Sequence, residues 1–132
     1  GVERSPGSAE LLIRSAAVEC RLGMDDQAIL HYEQALQLTG GAPMLYNNLG
    51  ALYLRKGMPE LARPHFQRLA EISPEAVRVR YTLGMLNART GRTEEAREQL
   101  GIALRLDPAD QRSATALAAL NKASMRSTEQ AR

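Results

Sequence analysis

Gly23, Gly57 and Gly91 stand 34 residues apart, and the same interval separates Ala28, Ala62 and Ala96, and again Arg21, Arg55 and Arg89. Such a period restricts the fold more than any other feature of the chain, because each unit must be one supersecondary element that buries its apolar face against its neighbours. Softer series keep the register: Tyr32, Phe66 and Leu100; Ala35, Leu69 and Ala103; Leu38, Ile72 and Leu106; Gly40, Pro74 and Pro108. Leu49 and Gly50 return as Leu83 and Gly84.

Each unit reads as two helices about a glycine. Before it, Tyr46, Leu49, Gly50 and Tyr53 fall at helical spacing, and after it Leu61, Ala62, Phe66 and Leu69 do the same. Glycine at the junction suits a helix C-terminus, where the chain turns left-handed at low cost only without a Cβ. Asp26, Glu60 and Glu94 then fall in the first turn of the following helix, facing the positive end of its dipole. Ser73-Pro74 and Asp107-Pro108 pair an N-cap residue with proline at the first helical position. The spacing predicts helices over 9–22, 26–38, 43–56, 59–72, 74–89, 94–106 and 108–123. Pro64, inside the fourth of these, removes a hydrogen bond to the Glu60 carbonyl and predicts a kink. Gly50 and Gly84 within helices each cost roughly 1 kcal/mol against alanine. That cost implies a close approach of two antiparallel helices, with Ala62 and Ala96 opposite.

The composition agrees. The chain is 44% hydrophobic but only 4% aromatic, so its 132 residues build one domain's core mostly from Leu, Ala, Ile, Val and Met. A single cysteine, Cys20, excludes an internal disulfide and a cysteine-based zinc site. The net charge is +2, with Lys56 and Lys122 the only lysines among 17 basic residues. No basic block points to nucleic acid. No run of about 18 apolar residues is present to span a membrane. The chain opens at Gly1 without methionine, which suggests processing, a tag remnant or a piece of a longer polypeptide.

Tyr46, Leu49, Gly50, Tyr53, Gly57, Ala62, Phe66 and Pro74 together resemble the tetratricopeptide repeat family, whose 34-residue helix-turn-helix pattern they match. The resemblance implies an all-α, right-handed superhelical α-solenoid of three repeats, 9–42, 43–76 and 77–110, closed by a capping helix over 111–125 with Ala114, Leu117, Ala118 and Leu120. Residues 1–8 are expected to be a disordered lead and 126–132 a disordered tail. The first unit departs most, with Leu12, Ser15, Ala16 and Glu19 at positions the family fills with aromatic, leucine, glycine and tyrosine. Its first helix is expected to pack least well.

The resemblance also implies a function. In such proteins the first helix of each unit lines a concave groove, which would place Arg14, Arg21, Asn47, Asn48, Arg55, Arg78, Tyr81, Thr82 and Arg89 in or beside it. Such a surface suits an extended or helical peptide with acidic groups, since arginine holds carboxylates through a planar fork. The bland alternative is that the Arg21, Arg55, Arg89 ladder is merely solvated. Family members that clamp the C-terminal carboxylate of Hsp70 and Hsp90 chaperones use Lys and Asn, then Asn, then Lys and Arg. Ile13, Ala17, Asn48, Arg78 and Thr82 stand there in this chain, so three of the five positions are lost and that clamp is disfavoured.

His31 and His65, one period apart, lack the carboxylate or thiolate company of a metal site, and Cys20 lacks a visible base. No phosphate-cradling loop or catalytic motif is present, so neither an enzyme nor a cofactor is expected. The reading is a soluble protein-interaction scaffold, in cytoplasm or periplasm, with a bacterial secretion, pilus or envelope-assembly adaptor or secretion chaperone as its narrower form. Two alternatives stay open: a structural module whose arrays self-associate end to end, and single-stranded RNA binding of the kind served by related 35-residue helical repeats.

Overall fold

Gly23, Gly57 and Gly91 take left-handed φ angles of +76°, +75° and +79° in the computed structural model, which describes residues 6–131. At each, two backbone bonds close the preceding helix identically. Met24, Met58 and Arg92 donate to the carbonyls of Glu19, Tyr53 and Asn87, five residues back, while the glycine N–H groups reach Cys20, Leu54 and Ala88. This is the Schellman closure, which satisfies carbonyls that a helix end otherwise leaves unpaired.

The chain is all-α. Seven helices and no strand occur among the described residues: α1 Pro6–Arg21, α2 Asp25–Thr39, α3 Pro43–Arg55, α4 Pro59–Ile72, α5 Val77–Arg89, α6 Thr93–Leu106 and α7 Gln111–Gln130. They divide into two compact units, residues 1–69 and 70–132. In the first, α1 packs on α2 and α2 on α3. Its core holds Ala16, Ala28, Tyr32, Ala35, Leu45, Leu49 and Leu52. From α1 it takes Ala16, with Leu12, Ile13 and Cys20 half-buried against it. In the second unit α5 packs on α6, and α7 covers both; Leu83, Leu86, Ala96, Leu100 and Ala103 are buried there.

The helical glycines have a steric reason. A Cβ on Gly50 would stand 2.5 Å from Cε2 of Phe66, and one on Gly84 would stand 2.8 Å from Cγ of Leu100. The room is therefore made for the large residue of the second helix, one turn beyond the small Ala62 and Ala96, both fully buried.

Four boundaries differ from the sequence reading. Helix α5 begins at Val77 and α7 at Gln111, three residues past the proposed prolines. Ser73-Pro74 and Asp107-Pro108 instead open turns closed by Ala76 N–H to Ser73 O and Asp110 N–H to Asp107 O, each 3.1 Å. Ser or Asp first and Pro second is turn chemistry as much as cap chemistry. Asp110 then precedes α7 and accepts from Ser113 Oγ at 2.5 Å. Residues 1–5 of the expected disordered lead lie outside the described residues, while Pro6 to Ser8 form the first turn of α1. The expected tail is helical as far as Gln130. Helix α4 runs from Pro59 to Ile72 with Pro64 inside it, exposed and directed away from the core.

Helix α7 buries Ser113 and half-buries Ala116, Leu117, Leu120 and Ser124, leaving Ala114 and Ala118 exposed. The apolar stripe is thus shifted from the Ala114, Leu117, Ala118, Leu120 set. No described helix is long and apolar enough to cross a membrane.

Candidate functional site

In the first unit a depression of about 330 Å³ is lined by Ala17, Cys20, Arg21, Tyr32, Asn48, Ala51, Leu52 and Arg55. It gathers Arg21, Asn48 and Arg55 of the sequence-predicted set. Arg14 and Asn47 lie elsewhere: Arg14 is exposed and pairs with Glu10 one turn earlier at 2.6 Å, and Asn47 is exposed on α3.

The two arginines of the depression are not equivalent. Arg55 forks onto Asp25, with Nε donating to Oδ2 at 3.0 Å and Nη2 to Oδ1, and Nη2 also reaches the Cys20 carbonyl at 3.3 Å. It thereby ties α3 to the start of α2 and the end of α1, where a cation also meets the negative end of the α1 dipole. The Arg55 guanidinium beside Asp25 holds that carboxyl below its ordinary range. Lys56 meets Asp26 in a parallel ion pair. Arg21, by contrast, makes no hydrogen bond or ion pair with any described group and is exposed. The ladder is therefore split, with Arg55 engaged in the fold and Arg21 available.

The floor is set by Tyr32. Its phenol is buried beside Cys20 and Asn48; burial pushes its pKa up first, Cys20 adds to this, and Asn48 opposes it. Asn48 thus lines the depression together with a free guanidinium and apolar Ala17, Ala51 and Leu52. Tyr32 and Cys20 were legible only as a core aromatic and a lone thiol, since their contact is made between different helices.

In the second unit Arg78, Thr82 and Arg89 occupy one face of α5 at positions i, i+4 and i+11. The Arg78 and Arg89 side chains are exposed and pair with no described group. Thr82 donates its hydroxyl to the Arg78 carbonyl at 2.9 Å. Tyr81 is half-buried beneath Arg112, whose guanidinium carbon stands 4.9 Å from the ring centroid, a cation-π contact. A hollow of about 550 Å³ beside α7 contains none of the predicted residues, and its Arg97 is bonded to Asn121, Ser124 and Glu94.

The two histidines are engaged separately. His31 Nδ1 lies 2.6 Å from Glu19 Oε1, and His65 stacks on Tyr53 with Glu33 at 3.5 Å. No cluster of three or more His, Cys, Asp or Glu able to hold a metal occurs among the described residues.

Helical hairpins closed by left-handed glycines at a 34-residue period, with a depression framed by the first helices, define the class of helical-hairpin repeat proteins. The sequence model of the tetratricopeptide repeat matches residues 41–109, more than half of the chain, and a second model described as TPR repeat matches residues 17–57. The chain belongs to the tetratricopeptide repeat family. No curated protein matches it by sequence.

Solved structures agree on the fold. The first TPR of Spaghetti (RPAP3), bound to the HSP90 peptide SRMEEVD, matches with a TM-score of 0.76 at 18% identity, over 95% of this chain and 99% of that one. The Yersinia enterocolitica type III secretion chaperone SycD, in complex with a peptide of the translocator YopD, matches at 0.77 and 19%, over 93% and 99%. YrrB, described as a TPR protein with an unusual peptide-binding site, matches at 0.80 and 23%, over 89% of this chain and 61% of its own.

Proposed function

We propose that the chain is a non-enzymatic protein-interaction scaffold that holds an acidic peptide segment of a partner, with the α1–α3 depression as the anchor for a carboxylate. The observation that carries this reading is the juxtaposition of Arg21, which has no described partner, with the Asn48 amide beside Tyr32, above an apolar floor. A planar guanidinium and an amide donor can both bond one carboxylate, while Ala17, Ala51 and Leu52 accept a small apolar neighbour. The exposed face of α5, with Arg78, Tyr81, Thr82 and Arg89, offers contacts of the same chemistry.

Support comes from the peptides named with the Spaghetti and SycD structures, one of them acidic. The fold shared with a secretion chaperone favours the narrower role of an adaptor or chaperone in bacterial secretion, pilus or envelope assembly.

The test is selection from a random peptide library, followed by titration of the selected peptide into the wild type, Arg21→Glu and Asn48→Asp at two salt concentrations. Acidic peptides are expected to be enriched, with affinity falling as salt rises above about 0.15 M. Both variants should bind more weakly while circular dichroism stays unchanged. Enrichment without acidic residues, or full affinity in both variants, would refute the reading.

A further inference from the structure

The fold uses only one edge of the Arg55 guanidinium. Nε and Nη2 fork onto the Asp25 carboxylate, and Nη2 also donates to the Cys20 carbonyl. The N–H groups of Nη1 remain, with no bond to any described group. The Arg55 side chain is 52% exposed and that of Asp25 only 20%, so the pair is open on the arginine side. Arg55 also lines the α1–α3 depression, together with Arg21 and Asn48.

We infer that Asp25 is a positioning residue for ligand binding: it holds the Nε–Nη2 edge of Arg55 so that Nη1 is presented to the depression as a fixed donor for an acidic side chain. The inference rests on the carboxylate reading of that depression and adds how an acid is told from its amide.

Discrimination falls to the guanidinium groups. The Asn48 amide carries both a donor and an acceptor, so it can serve a carboxylate or a carboxamide alike. A guanidinium only donates, and it bonds a charged oxygen more strongly than a neutral one. Of the two arginines, Arg21 is exposed and pairs with no described group, so it must lose its rotamer freedom when a ligand binds. Arg55 has already lost that freedom in the fold. One period after Asp25 the chain carries Pro59, and Arg89 pairs with no described group. The held donor therefore belongs to the first unit.

The charge of Asp25 works in the opposite direction. Through space, its carboxylate repels an acidic ligand and offsets the attraction of Arg55. Coulomb attraction alone therefore requires that neutralising Asp25 strengthen acid binding, whereas positioning requires that it weaken it.

The test titrates the full chain, labelled with nitrogen-15, with acetyl-glutamate amide and with acetyl-glutamine amide, which differ in carboxylate against carboxamide. In the wild type the glutamate probe is expected to shift the Arg55 guanidinium and Asn48 amide resonances together, and to bind at least about threefold more tightly than the glutamine probe. Asp25→Asn should lose most of that preference, and Asp25→Glu, which keeps a carboxylate for the fork, should retain more of it. Mere loosening of the α2 hairpin would weaken both probes alike and leave their ratio unchanged. The wild-type resonances and Asp25→Glu decide the matter if Asp25→Asn does not fold. An unmoved Arg55 resonance, or a ratio that stays the same or rises in folded Asp25→Asn, would overturn the inference. Such a failure beside a selected acidic peptide would leave Arg21 and Asn48 as the carboxylate anchor. A shifted Arg55 resonance with no acidic peptide selected would refute the scaffold reading alone.

Discussion

His65 lies face to face with Tyr53, the ring centroids 5.7 Å apart and the planes within 6° of parallel. One period earlier the same two positions hold His31 and Glu19, joined by a 2.6 Å hydrogen bond. The repeat thus conserves a contact between its two helices while changing its chemistry. Glu19, which breaks the family pattern, is accommodated by the histidine opposite.

The His65 environment makes stability depend on pH. Burial holds its pKa below the ordinary 6.5, Glu33 opposing, so the unfolded chain binds the proton more tightly. Stability is then fully present above about pH 6.5 and falls as pH drops toward the folded-state value. Asp25 and Asp110, held below their ordinary 3.8, lose their contributions only in stronger acid. Thermal melts between pH 7.5 and 5 should show a decline that His65→Phe reduces; an unchanged decline in the variant would remove His65 as its source.

Three glycine-to-alanine changes in helices should separate packing from propensity. Gly50→Ala and Gly84→Ala drive a Cβ into Phe66 and Leu100 and should cost about 1–3 kcal/mol, outweighing the roughly 1 kcal/mol gained in helix propensity. Gly101→Ala meets nothing within 4 Å and should stabilise by up to about 1 kcal/mol. Urea titrations that ranked the three together would contradict the steric account.

Gly57 tests the turn itself. Open space surrounds it, so the cost of Gly57→Ala comes from its φ of +75° alone, about 1–2 kcal/mol. Gly57→Asn, whose side chain tolerates that region, should cost less. Equal midpoints for the two variants in denaturant would argue that the left-handed turn is not limiting.

The split of the arginine ladder predicts divergent variants. Arg55→Gln should lower the unfolding midpoint, and combining it with Asp25→Asn should cost less than the sum of the two, because both remove one interaction. Arg21→Gln should leave the midpoint unchanged and weaken peptide binding instead. An additive cycle for the Arg55 pair would mean that the ion pair contributes nothing to the fold.

What the sequence by itself determined is periodic and local. The 34-residue series specified hairpins, the glycines after Arg21–Leu22, Lys56 and Thr90 specified where the first helices stop, and the acidic residues marked the next helix starts, because caps, dipoles and backbone handedness act within a few residues. What only tertiary structure decided depends on which neighbour a residue meets. Arg21, Arg55 and Arg89 are one residue type at one repeat position, yet Asp25 engages Arg55 while Arg21 pairs with no described group. Ser73-Pro74 carries both cap and turn chemistry, and the turn prevailed there. Leu11 and Leu45 occupy equivalent positions, one exposed and one buried. A repeat position specifies a direction from the helix axis, and only the packed chain determines whether a helix, a counter-charge or water lies in that direction.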